Sequence, residues 1–224
     1  TAARREEIIN ACEKLYRTMR FKEITIKEIG RETSFTRTSI YNYFETKEEI
    51  FLALLKREYD CWCESLAEIA ACKDERAELA ELLAHSLEAR PNMLKLLSMN
   101  MYDIEENSRL ECLTDFKVSF GRSMALVRAC LKRFFPDMDD GEQKRFIYSF
   151  FPFIHGIYPY TSSSSTIAAY APIGAGVPNL QLDNSIGIMK AYSTCVGEGP
   201  FTAEYFGEKA EKLRKAGGEY GAAT

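Results

Sequence analysis

The first seventy residues alternate between stretches with a helical hydrophobic stripe and short polar segments. In the first stretch, apolar side chains recur at steps of three and four, at Ile8, Cys12, Leu15 and Met19. This spacing places them on one face of a helix and predicts a helix over residues 3–19.

Two further helices are predicted by capping boxes, in which a threonine and a glutamate three residues later satisfy the free amides of a helix start. The motif T-I-K-E begins at Thr25 and predicts a short helix from Ile26 to about Glu32. The motif T-K-E-E begins at Thr46 and predicts a long helix towards Ala70.

The segment between these two helices, residues 33–47, reads TSFTRTSIYNYFETK and contains few apolar residues. Thr36 is the expected N-cap of a third helix that runs from Arg37 to Tyr43, with Ile40 and Phe44 turned inward. Two short helices joined by a turn of three or four residues form a helix-turn-helix, whose second helix enters the major groove of DNA. The sequence therefore predicts a helix-turn-helix.

The polar side chains of this region suit contacts with DNA. Hydroxyl groups at a helix start can bond base edges or phosphates, arginine can address guanine with two bonds, and tyrosine hydroxyls and lysine suit phosphate oxygens. A purely structural helix corner with a polar face is the alternative. The predicted DNA contacts are Thr25, Lys27, Thr36, Arg37, Thr38, Ser39, Tyr41, Asn42, Tyr43 and Lys47.

The charge distribution points in the same direction. From Lys14 to Lys47 there are eight basic and four acidic residues, a balance of +4, whereas the whole chain carries −4. A basic patch on an acidic protein indicates a polyanionic partner at one end, although a solvated face would look the same.

The remaining composition is that of an ordinary globular protein. Apolar residues make up 46% of the chain, and none of their runs approaches the roughly 20 residues that span a bilayer. The start has no signal-peptide pattern, and the seven cysteines have no C-x-x-C spacing, so we expect a cytoplasmic protein with reduced thiols. With two histidines in the chain, we expect no metal and no cofactor.

Residues 25–50, TIKEIGRETSFTRTSIYNYFETKEEI, strongly resemble the DNA-binding region of TetR-family transcriptional repressors. The family pattern of T-hydrophobic-x-x-I-A, a G-V-S turn and Y-x-x-F-x-x-K is matched by Thr25, Ile29, Tyr41, Phe44 and Lys47. Gly30 stands where the family usually has alanine, and Ser34 stands where it usually has glycine. The resemblance implies an all-α, TetR-like protein that binds operator DNA as a homodimer and responds to a small-molecule effector.

The resemblance also implies a second helical domain for ligand binding and dimerisation. We expect the DNA-binding domain at residues 1–47, the second domain at residues 48–160 and a distinct tail at residues 161–224. Apolar side chains of this domain are candidates to line an effector cavity, and plain core packing is the alternative for each of them. The pocket candidates are Met93, Met99, Met101, Tyr102, Phe116, Phe120 and Met124.

After Tyr160 the chain becomes rich in small residues, glycine and proline. Here GIYPYTSSSSTIAAYAPIGAG and the stretch from Gly187 to the end resemble an internal piece of adenylosuccinate synthetase, which couples IMP, aspartate and GTP. We expect a changeover near residues 156–161, a strand at 187–196 and a helix at 202–216. Because no G-x-x-x-x-G-K phosphate loop occurs in the chain, we expect no catalysis.

Three functions follow as hypotheses. The first is a homodimeric, ligand-responsive repressor, whose dimer would be weakened because the tail replaces the last helix of the usual interface. The second is an IMP-binding fragment of a purine-biosynthesis ligase. The third is a helical interaction module without DNA binding.

Overall fold

The regular structure of the described residues is entirely α-helical, as the sequence predicts. The computed structural model describes residues 2–74, 77–99 and 101–161. The helices are α1 (Ala2–Tyr16), α2 (Ile26–Arg31), α3 (Arg37–Ile40), α4 (Lys47–Ala70), α5 (Leu79–Glu88), α6 (Pro91–Leu97), α7 (Met101–Glu106), α8 (Leu110–Phe134) and α9 (Asp140–Thr161). The strand and late helix expected at residues 187–196 and 202–216 lie outside the described residues.

Threonine side chains cap three of the first four helices, at the positions that the sequence predicts. The hydroxyls of Thr25, Thr36 and Thr46 accept from the amide three residues later, at 3.2–3.3 Å. In the second capping box the carboxylate of Glu49 returns a bond to the amide of Glu45, at 2.8 Å, rather than to that of Thr46. This bond ties the start of α4 to the end of the preceding turn.

The third helix is shorter than the sequence predicts. Its α-helical part ends at Ile40, after which the amides of Asn42 and Tyr43 bond carbonyls three residues back, at 3.3 and 2.9 Å. The amide of Phe44 again bonds a carbonyl four residues back, that of Ile40, at 3.1 Å, and its side chain is fully buried in the core.

The long helix α4 organises the core. It packs against α1, α5, α6, α7 and, along most of its length, α8, while α9 packs on α6 and α8. One continuous hydrophobic cluster extends from Ile8 in α1 through Phe51 and Trp62 in α4 to Phe150 in α9. The three-helix unit at the start of the chain and the larger helical unit therefore share a core.

Residues 91–104, read from the sequence as one segment, form two helices. Pro91 opens α6 as expected, because the first helical position needs no amide donor. The chain leaves the helix at Ser98, and α7 starts again at Met101. Within the described residues, no helix is long and apolar enough to cross a membrane.

Candidate DNA-binding face

The turn between α2 and α3 is anchored to α1. The amide and the hydroxyl of Ser34 both donate to Glu7 Oε1, each at 2.9 Å. These two bonds hold the pKa of Glu7 below its ordinary value, and the bond from the backbone amide has the larger effect. Ser34 thus stabilises the turn with two hydrogen bonds. The glycine usual at this position has no hydroxyl and would make only the bond from its amide.

The exposed side of α3 carries a paired arginine and tyrosine. Arg37 Nη2 donates to the hydroxyl of Tyr41 at 3.1 Å, and the guanidinium lies 5.7 Å from the centre of the Tyr41 ring. Both side chains are exposed, one turn apart on the same face. The contact orders a long side chain that would otherwise lose conformational entropy on binding.

The other predicted contacts on α3 differ in exposure. Thr36, Thr38 and Asn42 are exposed, whereas Ser39 and Tyr43 are half-buried. The hydroxyls of Thr36 and Ser39 lie 3.0 Å apart and share a hydrogen bond. Each hydroxyl keeps further bonding capacity for a base edge or a phosphate.

The contacts predicted outside α3 lie at the starts of α2 and α4. Thr25 and Lys27 are exposed at the start of α2. Lys47 is turned inward: its ammonium donates to the carbonyls of Phe21 and Ile24, at 3.1 and 3.3 Å, and lies 4.1 Å from the centre of the Phe21 ring. An ammonium has three donors, so one remains for a phosphate.

Two arginines that sequence reasoning did not select also lie beside α3. The guanidinium of Arg5 lies 4.5 Å from the centre of the Phe44 ring, and that of Arg4 lies 5.7 Å from the centre of the Phe35 ring. Their sequence signal is the Arg-Arg pair near the start of α1, which falls before the basic stretch that begins at Lys14. They extend positive charge beyond α3.

The candidate pocket residues do not gather around one cavity. Met93 and Phe116 are buried, Tyr102 is 71% exposed, and the rest are half-buried. Met99 instead accepts a hydrogen bond from Tyr16 at the junction with α1, at 2.9 Å. An open groove of about 470 Å³ lies over α7 and α8 and is lined by other residues, namely Glu105, Leu110, Leu113, Thr114, Lys117 and Val118.

Two of the candidates do meet in an aromatic cluster between α4, α8 and α9. The ring of Tyr59 lies 5.8 Å from that of Phe116 and 5.6 Å from that of Phe120, measured between centres. The Trp62 ring is 6.0 Å away on the other side, and its indole donates to Ser86 at 3.0 Å. The hydroxyl of Tyr59 is buried and has no hydrogen-bond partner among the residues that the structure describes, and burial raises its pKa.

A helix-turn-helix with an exposed polar second helix, set on a larger helical unit, defines a class of DNA-binding transcriptional regulators. Comparison with known proteins agrees. Residues 8–54 match the family model described as bacterial regulatory proteins, tetR family. The fold resembles a crystal structure described as a TetR-family transcriptional regulator from Mesorhizobium loti, with a TM-score of 0.53 over 85% of this chain and 96% of that one, at 14% identity. The resemblance drawn from residues 25–50 is thus confirmed in sequence and in fold.

The second resemblance is confirmed as well. Residues 149–224 match the adenylosuccinate synthetase family model. The synthetase of Thermodesulfovibrio yellowstonii is 36% identical over 155 residues, covering 64% of this chain and 35% of the enzyme. That of Desulforapulum autotrophicum is 53% identical over 70 residues, covering 31% of this chain and 16% of the enzyme. The chain thus spans about a third or less of these relatives.

The similarity to the synthetase starts earlier than the expected changeover at residues 156–161. The matched stretch begins at residue 149, inside α9, so this helix contains sequence shared with the enzyme family. The alignment with the T. yellowstonii enzyme is longer still, at 155 residues.

Proposed function

We propose that this chain is a ligand-responsive transcriptional repressor that binds operator DNA as a homodimer through α2 and α3. The observation that carries the proposal is the exposed face of α3, where Arg37 and Tyr41 are paired beside Thr38 and Asn42. In this role Arg37 reads a guanine edge. Tyr41, Lys27 and the free donor of Lys47 bind phosphates, and Arg4 and Arg5 add positive charge at the flank.

A gel shift tests DNA binding directly. Labelled duplexes are taken from the promoter of the chain's own gene, with a shuffled duplex of equal length as control. The expected result is a complex on the promoter that weakens steeply as salt rises, because bound phosphates release counterions. Equal binding to both duplexes would defeat the assignment of base reading.

The homodimer is supported by exposed surface on the last two helices. Val118, Gly121 and Ala125 are exposed on α8 at spacings that share one face, and a Cβ atom added at Gly121 would meet nothing within 4 Å. On α9, Tyr148 is 72% exposed and Gly156 is equally open. Small residues on exposed helix faces permit a second copy to approach closely. In the dimer the two copies of α3, the reading helices, would enter successive major grooves.

Effector binding is supported by the buried Tyr59 hydroxyl. A buried hydroxyl without a partner is costly, by about 1–3 kcal/mol, and an effector that supplied an acceptor would remove this cost. The surrounding Phe116, Phe120 and Trp62 rings favour a flat apolar body for such a molecule. The effector would act by binding one conformation of the protein better than another. As a regulator of bacterial DNA, the protein would work in the cytoplasm.

A second candidate function rests on the match of residues 149–224 to the synthetase family. In that case the chain would be an IMP-binding fragment of a purine-biosynthesis ligase. Calorimetric titration with IMP distinguishes the two: heat of binding with a stoichiometry near one would favour the second candidate. We expect no binding and no ligase activity.

A further inference from the structure

The carboxylate of Glu49 lies at the joint between the reading helix and α4. Its side chain is fully buried in the first turn of α4. One oxygen accepts from the amide of Glu45, at 2.8 Å, directly after the turn that follows α3. This bond therefore ties the residues that follow α3 to the start of α4.

Arg109, the residue before α8, supplies most of the remaining bonds to this carboxylate. Its Nε and Nη2 atoms donate to the two oxygens of Glu49, at 2.7 and 2.9 Å, and its own amide donates at 3.0 Å. The guanidinium also reaches the carbonyl of Tyr43 at 3.4 Å and the carboxylate of Glu45 at 3.5 Å. A two-pronged arginine contact of this kind fixes geometry as well as charge.

A neighbouring bond strengthens the same connection. The hydroxyl of Thr46 donates to the carbonyl of Asn107, at 2.8 Å, so the loop before α8 contacts both sides of the start of α4. Arg109 is continuous with α8, which carries Phe116 and Phe120 of the aromatic cluster. A displacement of α8 would therefore move the guanidinium relative to Glu49.

Loss of the Arg109 contact would leave the Glu49 carboxylate buried without a cation. A buried carboxylate without its cation is strongly disfavoured, so the joint is either closed, with all these bonds formed, or open, with Glu49 turned to water. An element with two arrangements is what coupling between distant sites requires.

We infer that Arg109 is a positioning residue for DNA binding, a latch through which the larger helical unit fixes the reading helix. In the closed latch the end of α3 has one orientation, and the reading helix is presented in a fixed place. When the latch opens, the residues after α3 are released and specific binding falls while phosphate contacts persist. This inference rests on the proposed function and names how its DNA-binding site is controlled.

The test compares Arg109→Gln with a matched control, Arg133→Gln. Arg133 also lies on α8, and its Nε donates to the carbonyl of Cys72, just beyond the far end of α4, at 2.7 Å. Two properties are measured for each full-length variant. One is affinity for a duplex obtained by selection with the wild-type chain and for its shuffled control, and the other is amide hydrogen exchange without DNA.

The expected result is a loss of about tenfold or more for Arg109→Gln on the selected duplex, within the range typical of coupling between sites. Affinity for the shuffled duplex should stay within about twofold, since the phosphate-binding groups are untouched. Exchange should rise at the amides of Tyr43, Phe44 and Glu45. The control should show none of these changes.

Other outcomes would overturn the latch or the proposed function. Unchanged binding of the selected duplex by Arg109→Gln, or an equal loss in the control, overturns the latch but leaves the proposed function standing. Unchanged amide exchange at residues 43–45 in Arg109→Gln would also overturn the latch. If the wild-type chain selects no duplex, the proposed function itself fails. If Arg109→Gln does not fold, Arg109→Gln combined with Glu49→Gln removes the unpaired charge, and wild-type binding by that double variant overturns the latch.

Discussion

The Tyr59 hydroxyl is a buried polar group that the described part of the protein leaves unsatisfied. We expect Tyr59→Phe to raise the free energy of unfolding by about 1 kcal/mol in the absence of effector, because it removes that desolvated hydroxyl. Thermal unfolding monitored by circular dichroism measures the change. Tyr16→Phe is the matched control and should destabilise, since the Tyr16 hydroxyl bonds Met99 and Lys95.

The same variant tests the effector proposal. If Tyr59 bonds an effector, Tyr59→Phe should bind the selected duplex normally but release it poorly when the natural effector is added. A variant that is less stable than the wild type would instead show that the hydroxyl has a partner within the protein.

Several of these residue-level features could not be predicted from the sequence. Arg37 was chosen from its position after a threonine cap, and the structure places it on the exposed face of α3. The inward turn of Lys47 had no such signal, because its partners are backbone carbonyls that the fold brings close. Arg109 was missed for a similar reason: its partner Glu49 lies sixty positions away in the chain.

At the scale of single helices, α2 contains a glycine that its environment does not require. A Cβ atom at Gly30 would lie 3.5 Å from Ile40 Cδ1 and farther from the backbone of Phe35 and Arg37, which is ordinary contact. Gly30→Ala should therefore stabilise the protein by about 0.5–1 kcal/mol through helix propensity. Urea unfolding measures the change, and a loss of stability would show that α2 and α3 pack more closely than the structure indicates.

The start of α4 gives a second prediction, on pH. Burial alone would raise the pKa of Glu49, but the hydrogen bonds from Arg109 and from the amide of Glu45 outweigh it and lower the pKa below its ordinary value of 4.5. A lowered pKa in the folded state stabilises the fold above the unfolded pKa. This contribution is lost as pH falls from about 4.5 through the lower folded-state value.

Glu49→Gln removes this titration and should flatten the fall of stability with acid. The measurement is the difference in unfolding free energy between the wild type and Glu49→Gln from pH 7 to pH 3. The difference should shrink as the pH falls. A constant difference would mean that the Glu49 carboxylate does not titrate with folding.

Element boundaries were predicted well where a side chain marks them. Thr25, Thr36 and Thr46 each cap the helix that was predicted to begin after them. The early end of α3 was not predicted, because no glycine or proline marks it in the sequence. The break between α6 and α7 likewise has no glycine or proline signal in the sequence.

At the scale of the whole molecule, the expectation of a weakened dimer concerns the tail, residues 161–224. If the tail is an appendage, sedimentation of the full chain and of a chain ending at Tyr160 should show the same weak dimer. Gly121→Arg in either chain should shift both towards monomer, because it places a charged side chain on the open face of α8. A strong dimer that is lost on truncation would show that the tail supplies part of the interface.

The central claim is that α3 reads DNA sequence, and Arg37→Ala tests it most directly. Fluorescence anisotropy gives the affinities of the wild type, Arg37→Ala and Arg133→Ala for a selected duplex and for its shuffled control. Arg133→Ala removes the same charge, but it does so beside the far end of α4. That end is about 36 Å from the start of α4, at 1.5 Å per residue.

We predict that Arg37→Ala costs about 1–3 kcal/mol on the selected duplex and much less on the shuffled one, while Arg133→Ala changes neither. Equal losses on both duplexes would make Arg37 a phosphate contact. Full retention of binding to the selected duplex by Arg37→Ala would contradict the assignment of Arg37 as the base-reading residue of α3.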